Sequence, residues 1–97
     1  MGNKVLKVNP KDNVIVALQN LAKDEAVQYN GETYILQEDI PAKHKFYVND
    51  MNAGDEVIMY GVLVGKIQHF VLKGMRMSTD NLKHAAEPYV YRKVNYE

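Results

Sequence analysis

Between residues 40 and 65 no apolar run lasts before a turn former cuts it: Ile40-Pro41, Asn52-Ala53-Gly54-Asp55, Tyr60-Gly61 and Val64-Gly65 follow in quick order. A helical stripe needs about three uninterrupted turns to hold, and this punctuation does not leave them. Short strands joined by tight turns are what it permits. The same stretch sets His44 between Lys43 and Lys45, just after a proline. The standing of that histidine largely decides what the chain does.

The rest of the chain keeps this rhythm. Val5 to Val8 reads as a short strand ending at Asn9-Pro10, because proline lacks a ladder donor and biases Asn9 toward extended backbone. Asp12-Asn13 reads as a turn or a helix cap. Val14 to Leu18 fits two readings: positions 14, 17, 18 and 21 make a helical stripe, while the β-branched run favours a strand. Ala26–Tyr29 and Thr33–Leu36 flank Asn30-Gly31, a dipeptide suited to a two-residue hairpin turn. His44–Val48, Glu56–Tyr60, Val62–Val64 (cut by Gly65) and Lys66–Leu72 read as further strands, and Asp50–Asp55 as a turn. Leu21, Ile40, Met51 and Val71 or Leu72 each open a short polar or small interval, twice ended by glycine at Gly54 and Gly74. That is recurrent strand–turn–strand geometry rather than a sequence repeat. The expected fold is a small, mainly β domain of short strands with one or two short helices. The tyrosine-rich tail from Glu87, broken by Pro88, reads as an extra strand, a docking arm or a frayed end.

With 97 residues, 46% of them hydrophobic, the chain has enough for one modest core but not for a deep cleft of its own. Twelve basic and twelve acidic residues cancel, which argues against a nucleic-acid or anionic-membrane binder. The absence of cysteine removes disulfides, thiolate metal sites and a cysteine nucleophile. The N-terminus shows no sustained apolar segment and no run approaches a membrane span, so a cytoplasmic location is expected.

Few residues offer chemistry. The His44 imidazole, set between Lys43 and Lys45, could meet a metal or an acidic ligand. A lone, half-exposed structural histidine at a strand start is the plainer reading, and residue chemistry alone favours it. Arg76, Ser78 and Asp80 alternate, so a strand continuing from Met75 would present all three on one face. An arginine fork, a hydroxyl and a carboxylate there suit a polyhydroxy acid or a divalent ion. A polar sheet face ending in an Asp-Asn turn is the plainer reading, and the residues alone favour it. His69 and His84 lack a second ligand at zinc-site spacing, and Asp55 and Glu56 would face opposite ways on a strand. There is no phosphate loop, no dinucleotide fingerprint and no serine elbow. The seven tyrosines suit packing or interfaces more than base stacking.

Taken in order, several elements carry a resemblance. They are Asp12-Asn13-Val14 with Ala17, Leu18 and Leu21; Ile40-Pro41-Ala42-Lys43-His44-Lys45-Phe46; Gly54 with Val57; Tyr60-Gly61 and Val64-Gly65; and Gly74 with Asn81. Over about residues 5–82 the chain resembles the small N-terminal SAF-type domain of the altronate and galactarate dehydratase family. The resemblance implies a β-clip fold, an SAF-like domain over 1–86, and a tail or linker at 87–97 leading toward a catalytic part not in this chain. It also implies a sugar-acid hydro-lyase using Fe²⁺ or Mn²⁺ in the complete enzyme, with most of the catalytic machinery in a larger domain or subunit.

Carried over residue by residue, the resemblance makes His44, Lys45, Arg76, Ser78 and Asn81 candidate substrate-binding residues, and His44 and Asp80 candidate metal ligands. Lys43 stands where the family usually has glycine, and Ser78 and Asp80 stand where histidines are common. The functional expectation is a non-autonomous part of a sugar-acid dehydratase, acting on a small hydroxy acid beside a large catalytic partner. Neither nucleic acid nor membrane is an expected partner, and a homo-oligomer stays open. The alternative is a non-catalytic ligand-binding or assembly module.

Overall fold

A computed structural model describes residues 3–84. Eight antiparallel strands form there: β1 (Val5–Leu6), β2 (Val14–Ala17), β3 (Ala26–Tyr29), β4 (Glu32–Ile35), β5 (Lys45–Tyr47), β6 (Glu56–Met59), β7 (Val62–Ile67) and β8 (Leu82–His84). They make sheets of order β1-β2-β5, β3-β4 and β6-β7-β8. The all-β expectation holds, but the one or two short helices do not: no helix occurs among the described residues. None is therefore present there to cross a membrane. The tail at 87–97 and its boundary with the domain at residue 86 lie outside the described residues.

The open reading at Val14–Leu18 resolves as a strand with a specific cause. β2 pairs with β5, matching Val14 to Tyr47 and Ile15 to Phe46. Successive side chains leave opposite faces of a strand. Val14 and Tyr47 accordingly enter one core with Met51, Val57, Ile67, Val71 and Leu82, while Ile15 and Phe46 enter a second with Leu21, Val27, Tyr34, Leu36 and Ile40. A strand buried on both faces shows no polar alternation, and its sequence mimics a helical stripe.

The weak rhythm of the sequence is a two-fold repeat of backbone hydrogen bonding. Leu21 bridges Ile40, and Met51 bridges Val71 in the same reciprocal way. Asp24 N donates to Leu36 O and Gly54 N to Ile67 O, each at 2.8 Å. The Glu25 carboxylate caps Ala22 N, and the Asp55 carboxylate caps Asn52 N. Ala42 N donates to the Asn20 side chain, and Lys73 N to that of Asp50. One unit thus holds the β3–β4 hairpin and the next holds β6–β7. Few side chains match between them, which is why the sequence shows only an echo.

Both hairpins turn on two left-handed residues, Asn30 (φ 50°) with Gly31 and Tyr60 (φ 57°) with Gly61. This is the turn geometry whose twist suits paired strands. β7 does not stop at Gly65, as the sequence suggested, but runs through it to Ile67. The glycine is needed for close approach, because a Cβ there would collide with the Lys83 carbonyl of β8. A register shift between Val57 and Ile58 leaves Val64 as the extra residue of a bulge.

Candidate functional site

The Pro41–His44 turn joins the first unit to β5. His44 N donates to Pro41 O at 3.0 Å, and Lys43 has φ 74°, the left-handed conformation of a type II turn's third residue. The substitution of lysine for glycine does not prevent the turn, because its ends are clamped. Lys43 N donates to Ala17 O at 2.7 Å, Ala17 N donates to His44 O at 2.8 Å, and the Asn20 side chain takes Ala42 N. His44 therefore sits exposed on a fixed backbone, and its ring hydrogen-bonds to no other described residue.

Lys45 opens β5, half-buried, and its carbonyl accepts from Met77 N at 2.8 Å. Next to it Phe46 bridges Arg76. The structure thus brings the backbones of three candidates, His44, Lys45 and Arg76, to one junction, with Arg76 on the Phe46 face of β5 and the Lys45 side chain leaving the opposite face. Sequence reasoning missed a fourth member: Glu38 accepts Arg76 N at 3.0 Å and lies 3.9 Å from Arg76 Nε. No spacing rule relates positions 38 and 76, so no local signal pointed to it. A guanidinium has five donors, and with one third of the side chain exposed the outer ones stay free for a carboxylate.

The expected strand through Arg76, Ser78 and Asp80 is not formed. Only Arg76 makes a bridge, and residues 79–81 are a turn. Physically, Asn81 takes over the backbone there: its side chain accepts Ser78 N at 3.1 Å and donates to Arg76 O at 2.9 Å, and Asn81 N donates to Ser78 O. The three side chains therefore do not share a sheet face. Ser78 Oγ accepts Asp80 N at 3.2 Å, and the Asp80 carbonyl meets His69 Nε2 at 3.0 Å.

Asn81 is 4% exposed, and its Oδ1 also receives the Tyr47 hydroxyl at 2.7 Å. Burial pushes the Tyr47 phenol far up, so it stays a neutral donor. Both groups are thus committed to holding β5 against the 76–82 segment. Among the described residues no three His, Asp or Glu side chains gather as a metal site. A metal on His44 or Asp80 would need its other ligands from elsewhere. An open depression of about 470 Å³ lies behind the turn, lined by Asn20, Leu21, Ala22, Asp39 and Pro41, and it contains none of the candidates.

Comparison with known proteins bears on what this junction belongs to. The chain is 32% identical to the altronate dehydratase of Escherichia coli (strain K12) over 78 residues, 80% of this chain and 16% of that protein. It is 26% identical to the altronate dehydratase of Bacillus subtilis (strain 168) over 78 residues, again 80% of the chain and 16% of the relative. The chain thus spans about one sixth of the length of these relatives. The family described as altronate/galactarate dehydratase SAF domain matches residues 3–85, nearly all of the chain. On that match, the chain belongs to the SAF domain family of altronate/galactarate dehydratases.

Proposed function

We propose that the chain is the small subunit or N-terminal domain of a sugar-acid dehydratase of the altronate or galactarate type, with the β-clip fold of that family. The observation that carries this is the family match over 3–85, joined to the relatives' much greater length. A segment that matches one sixth of each relative leaves most of the relatives' length to regions it does not cover. The junction of His44, Lys45 and Arg76 supports a binding role. An exposed imidazole flanked in the chain by Lys43 and Lys45 sits on a clamped turn, and the partly exposed Arg76 is the residue that bridges to β5, donors of the kind that suit a carboxylate with neighbouring hydroxyls.

Loss of water from a hydroxy acid requires removal of a weakly acidic proton beside the carboxylate and departure of the hydroxyl one carbon further on. In this reading Arg76 holds the carboxylate, and Lys45 offers its charge from the other face of β5. His44 donates to or accepts from a hydroxyl, and the base belongs to the larger part. Ser78 and Asn81 support the junction through the 76–82 segment. An Fe²⁺ or Mn²⁺ ion of the complete enzyme would, in this reading, take His44 or Asp80 from this chain at most singly and its other ligands from the larger part.

The test is co-expression with a neighbouring large dehydratase part, followed by assay of water loss from altronate and galactarate. Activity should depend on the chain and fall at least about tenfold with His44→Ala or Arg76→Ala. Activity indifferent to the chain and to both changes would overturn the reading and leave a non-catalytic binding or assembly module.

A further inference from the structure

We propose that the tip of the β6–β7 hairpin, Ile58–Val64, is a docking surface for the larger part of the dehydratase; this rests on the reading above and assigns its interface. The argument comes from the internal repeat. The first unit builds the same turn with Asn30, Gly31, Glu32 and Thr33, and the second with Tyr60, Gly61, Val62 and Leu63. Asparagine enters the left-handed region more readily than most residues, whereas a bulky tyrosine there is strained. Tyr60 adopts φ 57° all the same. It is 48% exposed, with Val62 at 59% and Leu63 at 45%. The backbone clearly forms with polar residues at these positions, so neither the strain nor the exposed apolar surface serves the fold.

The tip is also held rigid. Gly61 N donates to the buried Asp12 carboxylate at 2.9 Å, and Ile58 is pinned on both its N–H and its carbonyl by Asn13. A pre-organised aromatic with aliphatic neighbours loses little entropy on binding and makes an effective anchor. From Val57 to Gly65 no residue is charged, so the fitting partner surface is apolar. The relatives' length supplies the occupant. In them a segment like this one makes up 16% of a longer polypeptide, and the remainder is the surface it must meet.

The test gives the second tip the first tip's residues, Tyr60→Asn, Val62→Glu and Leu63→Thr together. The full-length tagged chain captures partners from extracts of its source cells, and mass spectrometry identifies them. The wild-type chain should retain a polypeptide of the dehydratase family. The triple variant should retain at least about tenfold less while unfolding at no lower temperature. Equal capture by wild type and triple variant overturns the docking surface and leaves the proposed function standing. No dehydratase polypeptide on the wild-type chain overturns the docking surface and, with it, the small-subunit form of the proposed function. Capture of only a second copy of this chain also overturns the docking surface. So does protection of the Tyr60 ring from hydroxyl-radical oxidation in the isolated monomer, which would mean that the chain covers its own tip.

Discussion

The β3–β4 and β6–β7 hairpins are two uses of one backbone. The first is closed by Asn30-Gly31, carries Gln28, Glu32 and Thr33 toward its tip, and is anchored by exposed ion pairs, Lys73 to Glu32 and Lys4 to Glu25 at the hairpin's base. The second carries Ile58, Met59, Tyr60, Val62 and Leu63, has a bulge at Val64, and hangs on Asp12 and Asn13. Where two copies share the framing backbone bonds of a unit but differ in side chains, the shared part reports what folding needs. The differences report what else is needed.

The turns after each unit invert the contrast. Gly74 (φ 92°) and Lys43 (φ 74°) hold corresponding places, one in each copy. A Cβ at Gly74 would collide with the Ile35 carbonyl, so there the glycine is required twice, by space and by conformation. Lys43 is exposed and only the conformation is costly. Gly74→Ala should therefore give the largest effect, a loss of about 2–5 kcal/mol in urea unfolding from combined strain and overpacking. A loss no greater than that of Gly31→Ala, where the Cβ meets nothing, would break the comparison.

Asn81→Ala ranks next. It strips the Tyr47 hydroxyl of its acceptor inside the second core, at a cost of about 1–3 kcal/mol. Tyr47→Phe in the same background should recover part of that loss, because no orphaned hydroxyl is left.

Lys43→Gly should act in the opposite direction, stabilising by about 0.5–1 kcal/mol as the left-handed strain is relieved and some unfolded-chain entropy is added. Unchanged or lower stability would show that the lysine makes a compensating contact.

The smallest effects are electrostatic. Glu25 is held below its ordinary value, first by the Ala22 N–H and then by Lys4, and Glu32 chiefly by Lys73. Depressed carboxyls stabilise the fold above their unfolded values, near 4.5, and that support is lost as pH falls through the lower folded values. Glu25→Gln should flatten this acid limb of the stability curve. At the other end, Tyr47 is raised by burial, so its contribution is complete below about 10 and fades as pH rises toward the folded value. Phenolate absorbance should then appear together with unfolding rather than before it.

The legible parts of the sequence were those decided by neighbours along the chain. Asn30-Gly31 fixed its own hairpin, and Pro41 with the glycines excluded long helices. What was not legible depended on partners far away. β2 stayed open between helix and strand because both faces are buried; Gly65 looked like a strand end because the Lys83 carbonyl that demands it lies across the sheet. The alternation of Arg76, Ser78 and Asp80 suggested a strand, but the buried Asn81 side chain bends that segment into a turn. Of the candidate site, the His44–Lys45 side could be read locally, whereas the approach of Arg76 and Glu38 is a product of the tertiary fold.

The most direct measurement is hydrogen–deuterium exchange on the chain alone and with the larger dehydratase part. The account predicts new protection at residues 58–64 and at the 41–45 turn, with residues 28–33 of the first hairpin unchanged. Equal protection of both hairpins, or protection of the first alone, would contradict it.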